Sequence, residues 1–223
     1  MGSLRASRLS LHERLLAGGP GALGDYELLA LQLHAAMPDS VPKPLAKALI
    51  TRFGSLGAVL GAERSALSKV PGMGDASIAA LMGAREMVLR MLRSEVQHRS
   101  VIASRKELLD YLTARSGYSE AEELHLLFLD RKNALIADEL HQHGTIDHVP
   151  IYPREVVKRA LEMSASALIL AHNHPSGDTT PSRSDVAMTR AVQQALQAIG
   201  MQIHDHIIIG RGRHSSFKSL GLL

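Results

Sequence analysis

Apolar positions along this chain change their rhythm near residue 100. Before it they recur at helical spacing in short segments. After it, compact apolar runs of strand length alternate with amphipathic stretches. In the first part the pattern predicts helices starting at Leu11 and over 26–33, 45–52, 56–60, 65–70 and 76–93. The proline-bearing stretch 36–44 reads as a loop. In the second part Ser104 caps a helix through Leu112, and 114–123 reads as polar loop. Strands are expected over 124–130, 134–140, 166–173 and 202–209. Helices are expected over 153–163 and 186–199, the last stopped by Gly200. The polar stretch 94–100 separates a small all-α domain (1–95) from an α/β domain (101–223).

Composition narrows the chemistry. There is no Cys, which removes disulfides, thiolate zinc sites and a cysteine nucleophile, and suits a reducing cytoplasm. Aromatics make up 3% and Trp is absent, so base-stacking platforms are not expected. No apolar run is long enough for a membrane span, and the N-terminus lacks the apolar stretch of a secretory signal. The net charge of +3 is uneven. Residues 1–100 carry 12 Lys/Arg against 8 Asp/Glu, and the remainder 13 against 14, with nine of the 12 His. A polyanion-facing module joined to a metal module fits that asymmetry.

The metal module centres on residues 168–185, LILAHNHPSGDTTPSRSD. On a strand, His172 and His174 project to the same face, as two ligands of one ion must. Pro175-Ser176-Gly177-Asp178 turns the chain, and Asp185 on the next helix can come back towards both imidazoles. Two His, one carboxylate and an open position make a catalytic rather than a structural zinc site. Ser182-x-x-Asp185 is also a capping-box pattern, and a capped helix start is compatible with ligation by Asp185. The same donor set accepts iron or manganese.

His-x-His, seven residues, Ser, two residues, Asp is the JAMM (MPN+) metallohydrolase signature, and YPREVVKRAL, LILAHNHPSGD and DHIIIG resemble RadC, the bacterial branch of that superfamily. The resemblance implies an α+β MPN-type domain with a central mixed sheet, holding one zinc through His172, His174 and Asp185. It implies a peptide or isopeptide substrate cleaved by a metal-activated water, with Ser182 stabilising the oxyanion. It implies a general base on an earlier strand, in a segment like Glu-Leu-two residues-Gly-Thr. Here that segment reads Glu139-Leu140-His141-Gln142-His143-Gly144-Thr145, one residue longer, which makes Glu139 the candidate and Asp138 the second. His204 and His206 form another His-x-His and read as structural. His141, His143 and His148 receive no role.

In the first part, Pro71-Gly72-Met73-Gly74 between two helices has the helix-hairpin-helix pattern. There, Gly72 and Gly74 would let backbone amides approach a DNA phosphate without sequence preference. The plainer alternative is a tight αα-corner. The DNA-repair label attached to RadC proteins makes a DNA-binding accessory with a structural or vestigial metal the rival function, and a protein-binding MPN scaffold a third.

Overall fold

The computed structural model describes residues 10–97, 100–143 and 151–223. The chain forms two compact units, Met1–Met87 and Val88–Leu223. No helix among the described residues is long and apolar enough to cross a membrane.

The first unit is helical. It contains α1 (Leu11–Gly18), a 3-10 turn (Pro20–Ala22), α2 (Asp25–Ala36), α3 (Pro42–Phe53), α4 (Leu56–Gly61), α5 (Arg64–Leu67) and the start of α6 (Asp75–Gln97). Leu29, Leu33, Leu49, Val59, Leu67 and Leu81 fill its core. The loop expected over 36–44 is shorter than the prolines suggested, because α3 already starts at Pro42. A helix's first amides have no intrahelical acceptor, so Pro42 and Pro44 in the first turn cost no hydrogen bond, and proline's fixed φ suits that position.

The second unit is an α+β domain around one mixed five-stranded sheet of order β2-β1-β3-β4-β5. Its elements are α7 (Arg105–Ser116), β1 (Glu123–Leu129), β2 (Leu135–His143), α8 (Pro153–Glu162), β3 (Ala167–Asn173), α9 (Arg183–Gln197), β4 (Gln202–Gly210) and β5 (Arg213–Ser216). β3 and β4 are parallel, joined through α9, and the other neighbours are antiparallel. The short β5 was not foreseen in the sequence.

Both faces of the sheet are covered, which is why β1 and β3 read as nearly unbroken apolar runs. Leu127, Leu129, Ile169, Ala171, Ile207 and Ile209 pack with α7 and the end of α6 on one face. Leu124, Leu126, Phe128, Leu168, Leu170 and Ile203 pack under α8 and α9 on the other. Burying each Leu, Ile or Phe among them contributes about 1.5–3 kcal/mol.

One irregularity matters for the site. β3 and β4 run in register from Ala167↔Gln202 to Leu168↔Ile203, then shift so that Ile169 pairs with Asp205. This bulge at His204 moves β4 by one residue, so that Ile203 and His206 both look to the α9 side.

Candidate metal centre

Period-two alternation along β3 places Leu168, Leu170 and His172 on the α9 face. His174 lies just past the strand, its amide donating to Ile209 O at 2.9 Å. The chain then turns, with Gly177 at φ 83° and its amide on His174 O. The turn packs directly on β4. A Cβ at Gly210 would stand 2.6 Å from Gly177 O, so only glycine allows this approach.

The turn delivers α9. Ser182 is its N-cap: Ser182 Oγ accepts from Asp185 N at 3.1 Å, and Asp185 Oδ2 accepts from Ser182 N at 2.7 Å. The capping box fixes Asp185, whose Oδ1 is 3.5 Å from His172 Nε2 and whose Oδ2 is 3.7 Å from His174 Nε2. The two Nε2 atoms are 2.9 Å apart. A fourth residue joins them: Glu122, with Oε1 3.9 Å from His172 Nε2. One donor atom from each of Glu122, His172, His174 and Asp185 lies within 4.8 Å of the others, a group that could hold a metal ion.

Hydrogen bonds behind the site assign the tautomers. Thr189 Oγ1 lies 2.6 Å from Asp185 O, a carbonyl that can only accept, so the hydroxyl donates there. The same oxygen then accepts from His206 Nδ1, also 2.6 Å away. Complete burial drives the His206 pKa far down and keeps the ring neutral. Its Nε2 therefore carries a lone pair and accepts from His172 Nδ1 at 2.8 Å. The remaining nitrogen of His172, Nε2, presents its lone pair to the site. His174 reaches the same state by donating from Nδ1 to Asp178 O at 2.5 Å.

Burial pushes His172 down to about 4. The Asp185 carboxylate beside it raises His174 above its ordinary value. Burial alone would raise Asp185, but His174, His172 and Ser182 outweigh it and hold the carboxyl well below the usual range. Two imidazole lone pairs 2.9 Å apart beside two carboxylates repel unless a cation lies among them. The donor set of two nitrogens and one or two carboxylate oxygens fits a borderline divalent metal.

The structure thus brings His172, His174 and Asp185 together, but not the Glu139 expected beside them. Glu139 does not reach them. It pairs with Leu126 on β1, which pairs with Leu170 on β3, so it stands two strands from His172, about 10 Å sideways. Its carboxylate is held by Arg159 of α8, whose Nε donates to Oε2 at 3.0 Å and whose second nitrogen takes Oε1. A Glu on this otherwise apolar face needs a partner, and the partner is an arginine. Asp138 points to the opposite face, where it meets His125, Tyr111 and Arg115.

Glu122 was missed because residues 114–123 looked like polar loop. A signal was present. Counting back by two from Phe128, Leu126 and Leu124 reaches Glu122 on the same face. Since Leu124 pairs with His172, that acid falls level with His174. His206 was read as structural and not linked to the site, because the bulge at His204 is invisible in the pattern, and Thr189 was missed. His204 itself bonds Asn133 Oδ1 at 2.6 Å, away from His206's partners. Gly144, Thr145 and His148 lie outside the described residues.

At the first unit's Pro71–Gly74 turn, Gly72 has φ 90° and Gly74 N donates to Ser77 Oγ at 2.9 Å. The exposed Asp75 pairs with Arg64 there. Gly74's amide, one of the expected phosphate donors, therefore already has an acceptor inside the helix start.

The sequence is similar to those of known proteins. A family model described as the RadC-like JAB domain matches residues 102–222, and one described as the UPF0758 N-terminal region matches residues 11–79. A UPF0758 protein of Rhodobacter capsulatus is 52% identical over 213 residues, covering 96% of this chain and all of that one. A UPF0758 protein of Ruegeria pomeroyi is 49% identical over 220 residues, covering 99% of this chain and 98% of that one. With the JAB-domain match spanning more than half of it and its relatives aligned nearly end to end, the chain belongs to the RadC-like JAB-domain family and carries the UPF0758 N-terminal region.

Proposed function

We propose that this protein is a zinc-dependent hydrolase of peptide or isopeptide amide bonds, with Glu122 as its general base. The observation that carries the reading is the convergence of two imidazole Nε2 lone pairs and two carboxylates at one end of the sheet. His172, His174 and Asp185 would hold the zinc, which would supply Lewis acidity and acidify the attacking water.

The chain's own groups divide the remaining work. Glu122 accepts a proton from the attacking water as the water oxygen bonds to the carbonyl carbon. It then delivers that proton to the amine nitrogen as the carbon–nitrogen bond breaks. Ser182 uses its oxygen as acceptor in the helix cap. Ser184 Oγ lies 2.7 Å from the same oxygen, and with Ser184 donating there the Ser182 hydroxyl proton serves as donor to the substrate oxygen as negative charge develops. His206 and Thr189 keep His172 in the tautomer that leaves Nε2 unprotonated.

The test is Glu122→Gln in zinc-loaded protein, assayed on a panel of peptide and isopeptide substrates. The amide cannot accept the proton, so kcat should fall ~10²–10⁴-fold with KM little changed and zinc still bound. Full turnover in this variant would overturn the base assignment.

A further inference from the structure

Asn173, between the two histidines, faces away from the metal group and is 1% exposed. Its side chain spends all its polarity on one segment. Oδ1 accepts from Glu123 N at 2.9 Å. Nδ2 donates to Ala121 O at 3.0 Å and lies 3.5 Å from Ser119 O. These groups bracket Glu122: the carbonyl before it and the amide after it are both tied to the strand that carries His172. Regular pairing of β1 with β3 stops at Leu124↔His172, two residues after Glu122. The Asn173 side chain takes over where the ladder ends. Among short side chains, only asparagine offers an acceptor and two donors in one plane for this.

From this geometry we infer that Asn173 is a positioning residue: it locks Glu122 against the His172–His174 strand by clamping the peptide groups on either side of it. This rests on the reading of Glu122 given above. A second anchor lies further along the same segment. Glu123 Oε1 accepts from Ser119 Oγ at 2.9 Å, and Glu123 Oε2 lies 3.2 Å from His125 Nε2. That anchor holds the Glu123 side chain, whereas Asn173 bridges to the metal-ligating strand. Without it, the segment stays attached to its own sheet face and loses its register with the histidines.

The experiment uses the full chain loaded with cobalt(II) or zinc alone, as wild type, Asn173→Ala, Glu122→Gln and the double variant. The three ligands are untouched, so each variant should bind one metal per chain. The cobalt(II) absorption spectrum of Asn173→Ala should shift towards that of Glu122→Gln. Adding Asn173→Ala to Glu122→Gln should change the spectrum and turnover no further, within about twofold. Alone, Asn173→Ala should lower kcat about 10–100-fold, the usual effect of removing an orienting partner at a metal site. Hydrogen exchange at the Glu123 amide should accelerate in Asn173→Ala and stay slow in the isosteric Asn173→Asp, which keeps the acceptor and loses the donor.

If Asn173→Ala fails to fold, Asn173→Asp carries the same comparison, with part of the spectral shift expected. A wild-type spectrum in the Asn173 variants, or losses that add to those of Glu122→Gln, would overturn the clamp while leaving Glu122 as base. A wild-type spectrum and turnover in Glu122→Gln, with the Glu123 amide still deprotected in Asn173→Ala, would instead sink the reading of Glu122 and the positioning role with it.

Discussion

His172 Nδ1 and His206 Nε2 meet at 2.8 Å inside the protein, both rings almost fully buried. Neither nitrogen touches the candidate metal position, yet their contact decides which nitrogen of His172 is available there. Thr189 sets the direction of this chain because its hydroxyl is committed to Asp185 O.

Thr189→Val keeps the shape of the side chain and removes the hydroxyl. His206 is then free to turn its proton towards His172 and compete for the tautomer. Zinc affinity should fall ~10–100-fold, as for other partners of metal-ligating imidazoles. Competition against a chelator of known affinity measures this, and an unchanged affinity would mean the chain of hydrogen bonds does not set the tautomer.

Glu139 and Glu122 lie on the same face of the sheet and should behave in opposite ways. Glu139 is held by Arg159, with both side chains about a third exposed. Glu139→Gln should leave zinc content and turnover near wild type and cost at most about 1 kcal/mol of stability. Glu122→Gln should keep the fold and lose the chemistry. Urea unfolding and kinetics on the two variants check the pair. A silent Glu122→Gln beside an inactive Glu139→Gln would reverse the assignment.

His125 gives the second unit a pH signature on the face opposite the metal group. It is fully buried, with Nε2 3.2 Å from Glu123 and Nδ1 3.2 Å from Asp138. Burial alone would lower its pKa, but the two carboxylates raise it above 6.5. Burial likewise works against Asp138 and Glu123, yet His125 holds both below their ordinary 3.8 and 4.5. The histidine's contribution is therefore complete below pH 6.5 and is lost as pH rises through its raised pKa. The carboxylates' contribution is complete above about pH 4.5 and is lost as pH falls through their lowered values. Thermal stability should peak between these limits. His125→Gln should flatten the alkaline limb, and an unchanged limb would contradict the network.

Much of this was legible in the sequence because its causes are local. A strand buried on both faces is apolar at most positions, so β1 and β3 stood out. His172, His174 and Asp185 follow from strand alternation, a Pro/Gly turn and a capping box, all within one short stretch. What escaped depended on pairing between distant segments. Glu122 acquires its place only when β1 lies antiparallel to β3 with Leu124 opposite His172. His206 faces the site only because of a bulge two residues earlier. Pro42 looked like a helix breaker, since a proline's meaning depends on which turn of the helix receives it.

The account stands or falls on the metal group itself, and zinc content by elemental analysis tests it most directly. Wild-type protein should retain about one zinc per chain through dialysis. His172→Ala combined with His174→Ala removes both nitrogen ligands and should retain none, while its circular dichroism stays that of a folded protein. Wild-type zinc in that double variant would contradict the account and move the site elsewhere.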